Sequence, residues 1–183
     1  MKLLSSTFFA RDTVAVAKDL LGKILSANGV SGRIVETEAY KRDPASHAYT
    51  KTERSRIMYE TQGHVYVYLI YGMYHCLNFT TEENDAGAVL IRAVEPLSGI
   101  EEMKRRRKTA KEVNLCSGPG KVCQAFAIGK QHHGIQLGKD IKVYDDLLVV
   151  PTIKTSPRMG ISEAKELLWR FYLEGNKFVS KGK

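Results

Sequence analysis

The sequence contains no apolar run near the ~20 residues that a membrane-spanning helix requires; stretches such as Leu147–Val150 fall far short. No membrane partner is therefore expected. The N-terminal Met1-Lys2-Leu3-Leu4 lacks the extended apolar core and small-residue site of a signal peptide, so a cytoplasmic protein is expected. Cysteine is scarce. Cys76, Cys116 and Cys123 cannot all pair internally, no C-x-x-C occurs, and His47, His64, His75, His132 and His133 supply no metal-ligand spacing around them. A disulfide scaffold and a structural zinc site are thus disfavoured, and reduced thiols packed in a core are expected. No internal repeat, linker or low-complexity segment is visible, which leaves one domain over residues 1–183.

Positive charge, by contrast, is plentiful. Lysine and arginine number 28 against 20 acidic residues, a formal net charge of +8. Such an excess suits a polyanionic partner, DNA or RNA first, although charge alone is equally compatible with simple solubility.

Local patterns outline an α+β chain. Asp12 or Thr13 caps a helix carrying Val14, Ala17, Leu20 and Leu21, and Gly22 ends it. Lys23–Ser26 and Val30–Tyr40 read as strands joined at Asn28-Gly29, a strong hairpin signal. In the second strand Ile34, Glu36, Glu38 and Tyr40 alternate onto one face, and carboxylates on an apolar face are costly unless paired or functional. Lys41–Thr61 reads as a polar loop. Gly63–Phe79 is a second β-rich block, in which Gly72 permits a sharp reversal and leaves Tyr71 at a tip where no core would hold it. A turn at Asp85–Gly87 leads into a strand Ala88–Glu95 that Pro96 stops.

Ile100–Lys111 reads as a helix whose outer face holds Lys104–Lys108 and Lys111; such runs are more often solvated faces than binding sites. Ser117-Gly118-Pro119-Gly120-Lys121 opens another helix, a plausible phosphate seat. It is not a P-loop, because Leu115 stands where the first glycine belongs and Val122 replaces the hydroxyl residue. A strand over Lys142–Val150 and a helix over Ser162–Tyr172 complete the expectation.

Several blocks carry a resemblance. Gly32–Tyr40, Asp43-Pro44-Ala45-Ser46-His47, Tyr66–Asn78, Gly87–Pro96, Leu115–Lys121, Pro157-Arg158-Met159-Gly160-Ile161 and Trp169-Arg170-Phe171-Tyr172 resemble, in order, motifs of the alkyladenine (3-methyladenine) DNA glycosylases. The chain departs from the family's pattern at Ser55, where asparagine is expected, and at Glu60-Thr61-Gln62-Gly63, which replaces a proline-rich turn. The resemblance implies a single domain with a curved, mainly antiparallel sheet and flanking helices. It implies a monofunctional hydrolase that removes damaged bases from double-stranded DNA and needs no metal or organic cofactor; a monomer is the default expectation, placed on the nucleoid of a prokaryote or in a eukaryotic nucleus.

The chemistry implied by the resemblance is specific. An enzyme cannot reach a glycosidic bond while the base is stacked, so it extrudes the nucleotide, and Tyr71 matches the side chain that fills the gap, with Met73 and Tyr74 shaping the same tip and Lys121 near phosphate. Glu38 matches the general base, while Arg92 and the backbone carbonyl of Ile161 orient the water; Glu36 takes a supporting part. Tyr40, His47 and Tyr68 match the base-stacking pocket, and Asn78 the position that obstructs the 2-amino group of guanine. No lysine matches a Schiff-base nucleophile. Two rival readings remain open on the residues alone: a non-catalytic nucleic-acid-binding module on a similar fold, and a metal-dependent nuclease, for which the carboxylates form no convincing cluster.

Overall fold

The computed structural model describes residues 1–181. In chain order its elements are β1 (Lys2–Leu3), α1 (Ser6–Phe9), α2 (Thr13–Asp19), β2 (Ile24–Ala27), β3 (Val30–Tyr40), α3 (Arg56–Glu60), β4 (Val65–Ile70), β5 (Tyr74–Thr81), β6 (Gly87–Ser98), α4 (Ile100–Arg107), α5 (Pro119–Ala125), β7 (Ile141–Asp145), β8 (Ile153–Ser156) and β9 (Arg170–Leu173). The main path of the sheet is β1-β7-β2-β3-β6-β5-β4, with β9 on β3 and β8 on β9. Every strand pairing among the described residues is antiparallel. The fold is a mixed α+β domain around a curved antiparallel half-barrel sheet.

Asp12 starts α2, its carboxylate accepting from the Ala15 N–H at 2.9 Å. Leu20, Leu21 and Ala17 are buried as the periodicity predicts, whereas Val14 is only half-buried. The β2–β3 hairpin turns at Asn28 (φ 50°) and Gly29 (φ 78°), both left-handed, as a tight two-residue turn requires. The long strand β3 is the spine. Its first half pairs with β2, Glu36–Glu38 pair with β9, and its other edge pairs along β6. Register shifts between β3 and β6 at Ser31/Gly32 and around Glu36 bend the sheet. The main core cluster includes Leu20, Leu25, Ile34, Leu77, Phe79, Ile91 and Phe126. A smaller cluster of Ala48, Met58, Tyr66, Ala86 and Ala88 gathers Tyr40 and Tyr68.

Five expectations are corrected. Strand β6 does not stop at Pro96 but runs to Ser98; Pro96 pairs with Gly32 beside the Ser31/Gly32 register shift, where a missing N–H is tolerated. The helix from Ile100 ends at Arg107 rather than Lys111, because Lys108 turns left-handed (φ 51°) and caps it. The strand Lys142–Val150 shrinks to Ile141–Asp145: the Asp145 and Asp146 carboxylates accept from the N–H groups of Leu147 and Leu148, and these local turns break the ladder. The largest error is Ser162–Tyr172, which contains no helix. Ala164 is left-handed (φ 51°) and Arg170–Leu173 is strand β9. The open edge of β3 beside Glu36–Glu38 recruits that segment, and sheet pairing overrides its helical periodicity. The expected loop Lys41–Thr61 also contains α3 and a single turn, His47–Tyr49, which Ser46 caps through the Ala48 N–H at 3.0 Å. Ser55 is fully buried there, accepting from the Thr52 N–H and donating to the Thr50 carbonyl, both at 2.9 Å.

Gly32 is required by close approach. A Cβ there would lie 2.6 Å from the Glu95 carbonyl oxygen and collide with Val94. Gly32→Ala is expected to lower stability by about 1–3 kcal/mol through overpacking, seen as a reduced midpoint in thermal or urea unfolding.

Candidate active site

A bulge aims Arg92 at β3. Glu36 pairs with Ala93 and Thr37 with Ile91, so Arg92 is the residue left over. Its side chain points at the face that holds Glu36, Glu38 and Tyr40. Arg92 Nε donates to Glu36 Oε1 at 3.0 Å, and Nη1 lies 3.3 Å from Glu38 Oε2. Burial opposes the charge on Arg92, yet Glu38 and Glu36 together hold its pKa above the ordinary value.

The two carboxylates are both fully buried but differently occupied. Glu36 is saturated: besides Arg92, it accepts from Arg170 Nε at 2.7 Å, from Ser180 Oγ at 2.8 Å and from the Ser180 N–H at 2.7 Å. Glu38 accepts from the Tyr40 hydroxyl at 2.8 Å and from the Met159 N–H at 2.7 Å. Desolvation raises its pKa, and Arg92, Met159 and Tyr40 only partly offset that. A buried carboxylate that gives up a proton reluctantly also takes one readily.

Tyr40 and Met159 border a cavity of about 400 Å³, which is also lined by His47, Arg54, Tyr66, Tyr68, Asn78 and Ile161. His47 Nδ1 lies 2.8 Å from the Tyr66 hydroxyl, and its ring stands edge-on to Tyr68 with centres 4.8 Å apart. Partial burial and the neighbouring Arg54 depress the His47 pKa, so it is neutral at pH 7. Burial raises the Tyr68 hydroxyl pKa. Asn78 is fixed by donating to the carbonyls of Tyr66 at 3.0 Å and Cys76 at 3.3 Å.

The β4–β5 hairpin borders this cavity and a second one of about 760 Å³, lined by Arg92, Arg107, Lys121, Tyr74 and Lys181; Tyr71 and Met159 contribute to both. Tyr71 is 80% exposed at the tip, with Met73 and Tyr74 also exposed beside it. Both Tyr71 (φ 52°) and Gly72 (φ 69°) are left-handed. That backbone is natural for glycine, whereas a tyrosine held there stores strain of roughly 1–2 kcal/mol. Lys121 Nζ donates to Ser117 Oγ at 3.1 Å, and desolvation with help from Arg107 lowers its pKa.

The structure therefore lines one cavity with Tyr40, His47, Tyr68, Asn78, Ile161 and Tyr71, sets Glu38 behind its wall through Tyr40 and Met159, and places Arg92, Tyr74 and Lys121 around the adjoining one. Met73 lines neither cavity; with Tyr74 it borders a recess against α5. From the turn that contains Ile161, the contact made to Glu38 is the Met159 N–H. The basic run of α4 is largely engaged within the fold: Lys104 pairs with Glu101 at 2.7 Å, Arg105 and Arg106 with Glu102 at 2.6 and 2.7 Å, and Arg107 donates to the Leu115 carbonyl at 3.0 Å. Among the described residues no three His, Cys, Asp or Glu side chains gather where they could hold a metal ion, and no helix is long and apolar enough to cross a membrane.

Sequence reasoning missed Arg158, Asp43, Arg170 and Ser180. Arg158 is buried and grips both Asp43 oxygens, at 2.6 and 3.0 Å, while its guanidinium lies 4.7 Å from the Tyr40 ring centre. It thereby ties the turn carrying Met159 to the loop carrying His47. Arg158, Asp43 and Arg170 all lie within the motif blocks, and a buried-charge argument pairing each carboxylate with an arginine was the available signal.

The methylpurine-DNA glycosylase family model matches residues 7–177. The chain belongs to that family. Relatives named as 3-methyladenine DNA glycosylases include one from Clostridium perfringens (strain 13 / Type A), 50% identical over 97% of this chain and 98% of its own. One from Clostridium novyi is 46% identical over 99% of this chain and 100% of its own, and one from Chlorobaculum tepidum is 44% identical over 99% and 92%.

Two substitutions test the geometry. Tyr71→Asn, which tolerates left-handed backbone, is expected to stabilise the fold by up to about 1 kcal/mol, measured as a raised unfolding midpoint. Glu36→Gln strips a buried anion from between Arg92 and Arg170 and is expected to destabilise by about 3–5 kcal/mol in urea titrations.

Proposed function

We propose that this DNA N-glycosylase extrudes a damaged purine from duplex DNA into the cavity walled by Tyr40, His47 and Tyr68, and hydrolyses its glycosidic bond with water activated by Glu38. The observation that carries the reading is a buried carboxylate with a raised pKa, held by Arg92, Tyr40 and the Met159 N–H, against an aromatic cavity. Water oxygen bonds to C1′ as the bond from C1′ to the base nitrogen breaks; the electron pair of that bond leaves with the base, and the water proton passes to Glu38. The carboxylate also faces the positive charge that develops on the sugar. Arg92 orients Glu38, and Ile161, at the cavity edge, helps confine the water. The sugar is left as an intact abasic site, with no covalent enzyme intermediate.

Tyr71 fills the gap left by the extruded nucleotide, with Met73 and Tyr74 against the flanking bases. Lys121, Arg107 and Lys181 offer the adjoining groove to the phosphate backbone. Asn78, rigidly held, excludes the 2-amino group of undamaged guanine. A monomer in the compartment that holds the DNA suffices for this chemistry. A non-catalytic binding module would gain nothing from a buried carboxylate whose ionisation works against folding, and that disfavours the rival.

Glu38→Gln is expected to reduce single-turnover excision by at least ~10²–10⁴ while leaving affinity for lesion duplex near wild type. Because the Glu38 pKa is raised in the fold, the folded state holds a proton more readily than the unfolded chain. Its contribution to stability is therefore lost as pH rises from the ordinary glutamate value through the raised one. Glu38→Gln should accordingly melt no lower than wild type at neutral pH. A well-folded Glu38→Gln that excises normally would overturn the assignment.

A further inference from the structure

The ionisable groups around the smaller cavity neutralise one another with a single exception. Glu36 and Glu38 face Arg92 and Arg170, and Asp43 faces Arg158. Tyr40, Tyr66 and Tyr68 are phenols whose ionisation burial drives upward, and His47 is neutral at pH 7. Arg54 makes no ion pair among the described residues; its neighbour Glu53 pairs with Arg56 instead, at 3.2 Å. The Arg54 guanidinium lies 5.2 Å from the centre of the Tyr68 ring and borders the cavity beside His47 and Tyr66. An electron-rich ring would ordinarily attract a cationic base, but here a protein cation already occupies a position over Tyr68.

We propose that Arg54 sets the charge preference of the base pocket, favouring neutral purine lesions such as hypoxanthine and ethenoadenine over cationic ones such as 3-methyladenine and 7-methylguanine. The inference rests on the glycosylase reading above and follows from where the electrons go. When the glycosidic bond breaks, its electron pair stays on the base. A neutral purine therefore departs with developing negative charge, which Arg54 stabilises across the cavity relative to free enzyme and DNA. A cationic purine enters against the Arg54 charge and departs neutral, so its transition state gains nothing from that charge. Arg54 is exposed, and solvent weakens its field, so the discrimination is moderate rather than absolute.

The test measures single-turnover kcat/KM on duplexes that differ only in carrying hypoxanthine or 7-methylguanine, for wild type, Arg54→Gln and Arg54→Lys, alongside their melting temperatures. The ratio of neutral to cationic excision is expected to fall about tenfold in Arg54→Gln and to recover most of that in Arg54→Lys, which keeps the charge. A ratio held within about twofold of wild type, with both lesions slowed alike, would make Arg54 a phosphate contact or a pocket wall and overturn the proposal. Arg54→Lys behaving like Arg54→Gln would overturn it too, since shape rather than charge would then decide. If wild type released neither base, the glycosylase reading would fall and this inference with it; release at a fixed ratio sinks the inference alone.

Discussion

The carboxylate of Glu36 is the interaction on which the site is built. It sits at the centre of the sheet with no access to solvent, and an ion so placed is tolerated only when its partners are close and well aimed. Here they come from three separate parts of the chain: Arg92 from a bulge in β6, Arg170 from β9 and Ser180 from the segment beyond it. Each of these partners is also an anchor. Arg92 is turned so that its far nitrogen reaches Glu38, β9 is held against the free edge of β3, and the end of the described chain is drawn across the same face. Because Glu36 absorbs two arginines, Glu38 is left with less compensation, and its environment stays that of a reluctant ion. The division of labour between two adjacent carboxylates thus arises from unequal solvation and unequal partners, not from any difference in residue type.

Much of this was legible in the sequence, and the limits were physical. The alternation of Ile34, Glu36, Glu38 and Tyr40 placed two carboxylates on one buried face because a strand has a period of two and β3 is long enough to show it. Asn28-Gly29 fixed the first hairpin for the equally local reason that few residues accept left-handed backbone. Tyr71 was legible as a tip residue, but not as one in left-handed backbone itself, since a propensity argument assigns that conformation to Gly72 alone. The segment 162–172 failed because its fate depends on a strand edge more than a hundred residues earlier, and no window over those residues contains that information. Arg158 and Asp43 were missed for the same reason: each is unremarkable alone, and only their convergence, with a bidentate contact, gives them meaning.

Two of the elements that form the site are held in place from opposite sides. The hairpin tip stands free and strained, with its side chains in solvent, whereas the turn carrying Met159 is clamped by an ion pair that lies almost wholly out of solvent. The part that must meet a varied duplex is therefore adaptable, and the part that must hold one oxygen of Glu38 is rigid. Preorganisation of this kind is what allows a single charged group to act without rearranging at the moment of reaction.

The contact between Ser180 and Glu36 joins residues 144 positions apart. During synthesis the strand carrying Glu36 leaves the ribosome long before its last two donors exist, and a nascent domain folds from its N-terminal side first. The growing chain must therefore carry an unmatched buried anion, or keep that strand loose, until Ser180 has emerged. Order around Glu36 thus arrives late, once Arg170 and Ser180 have joined the strand that carries it.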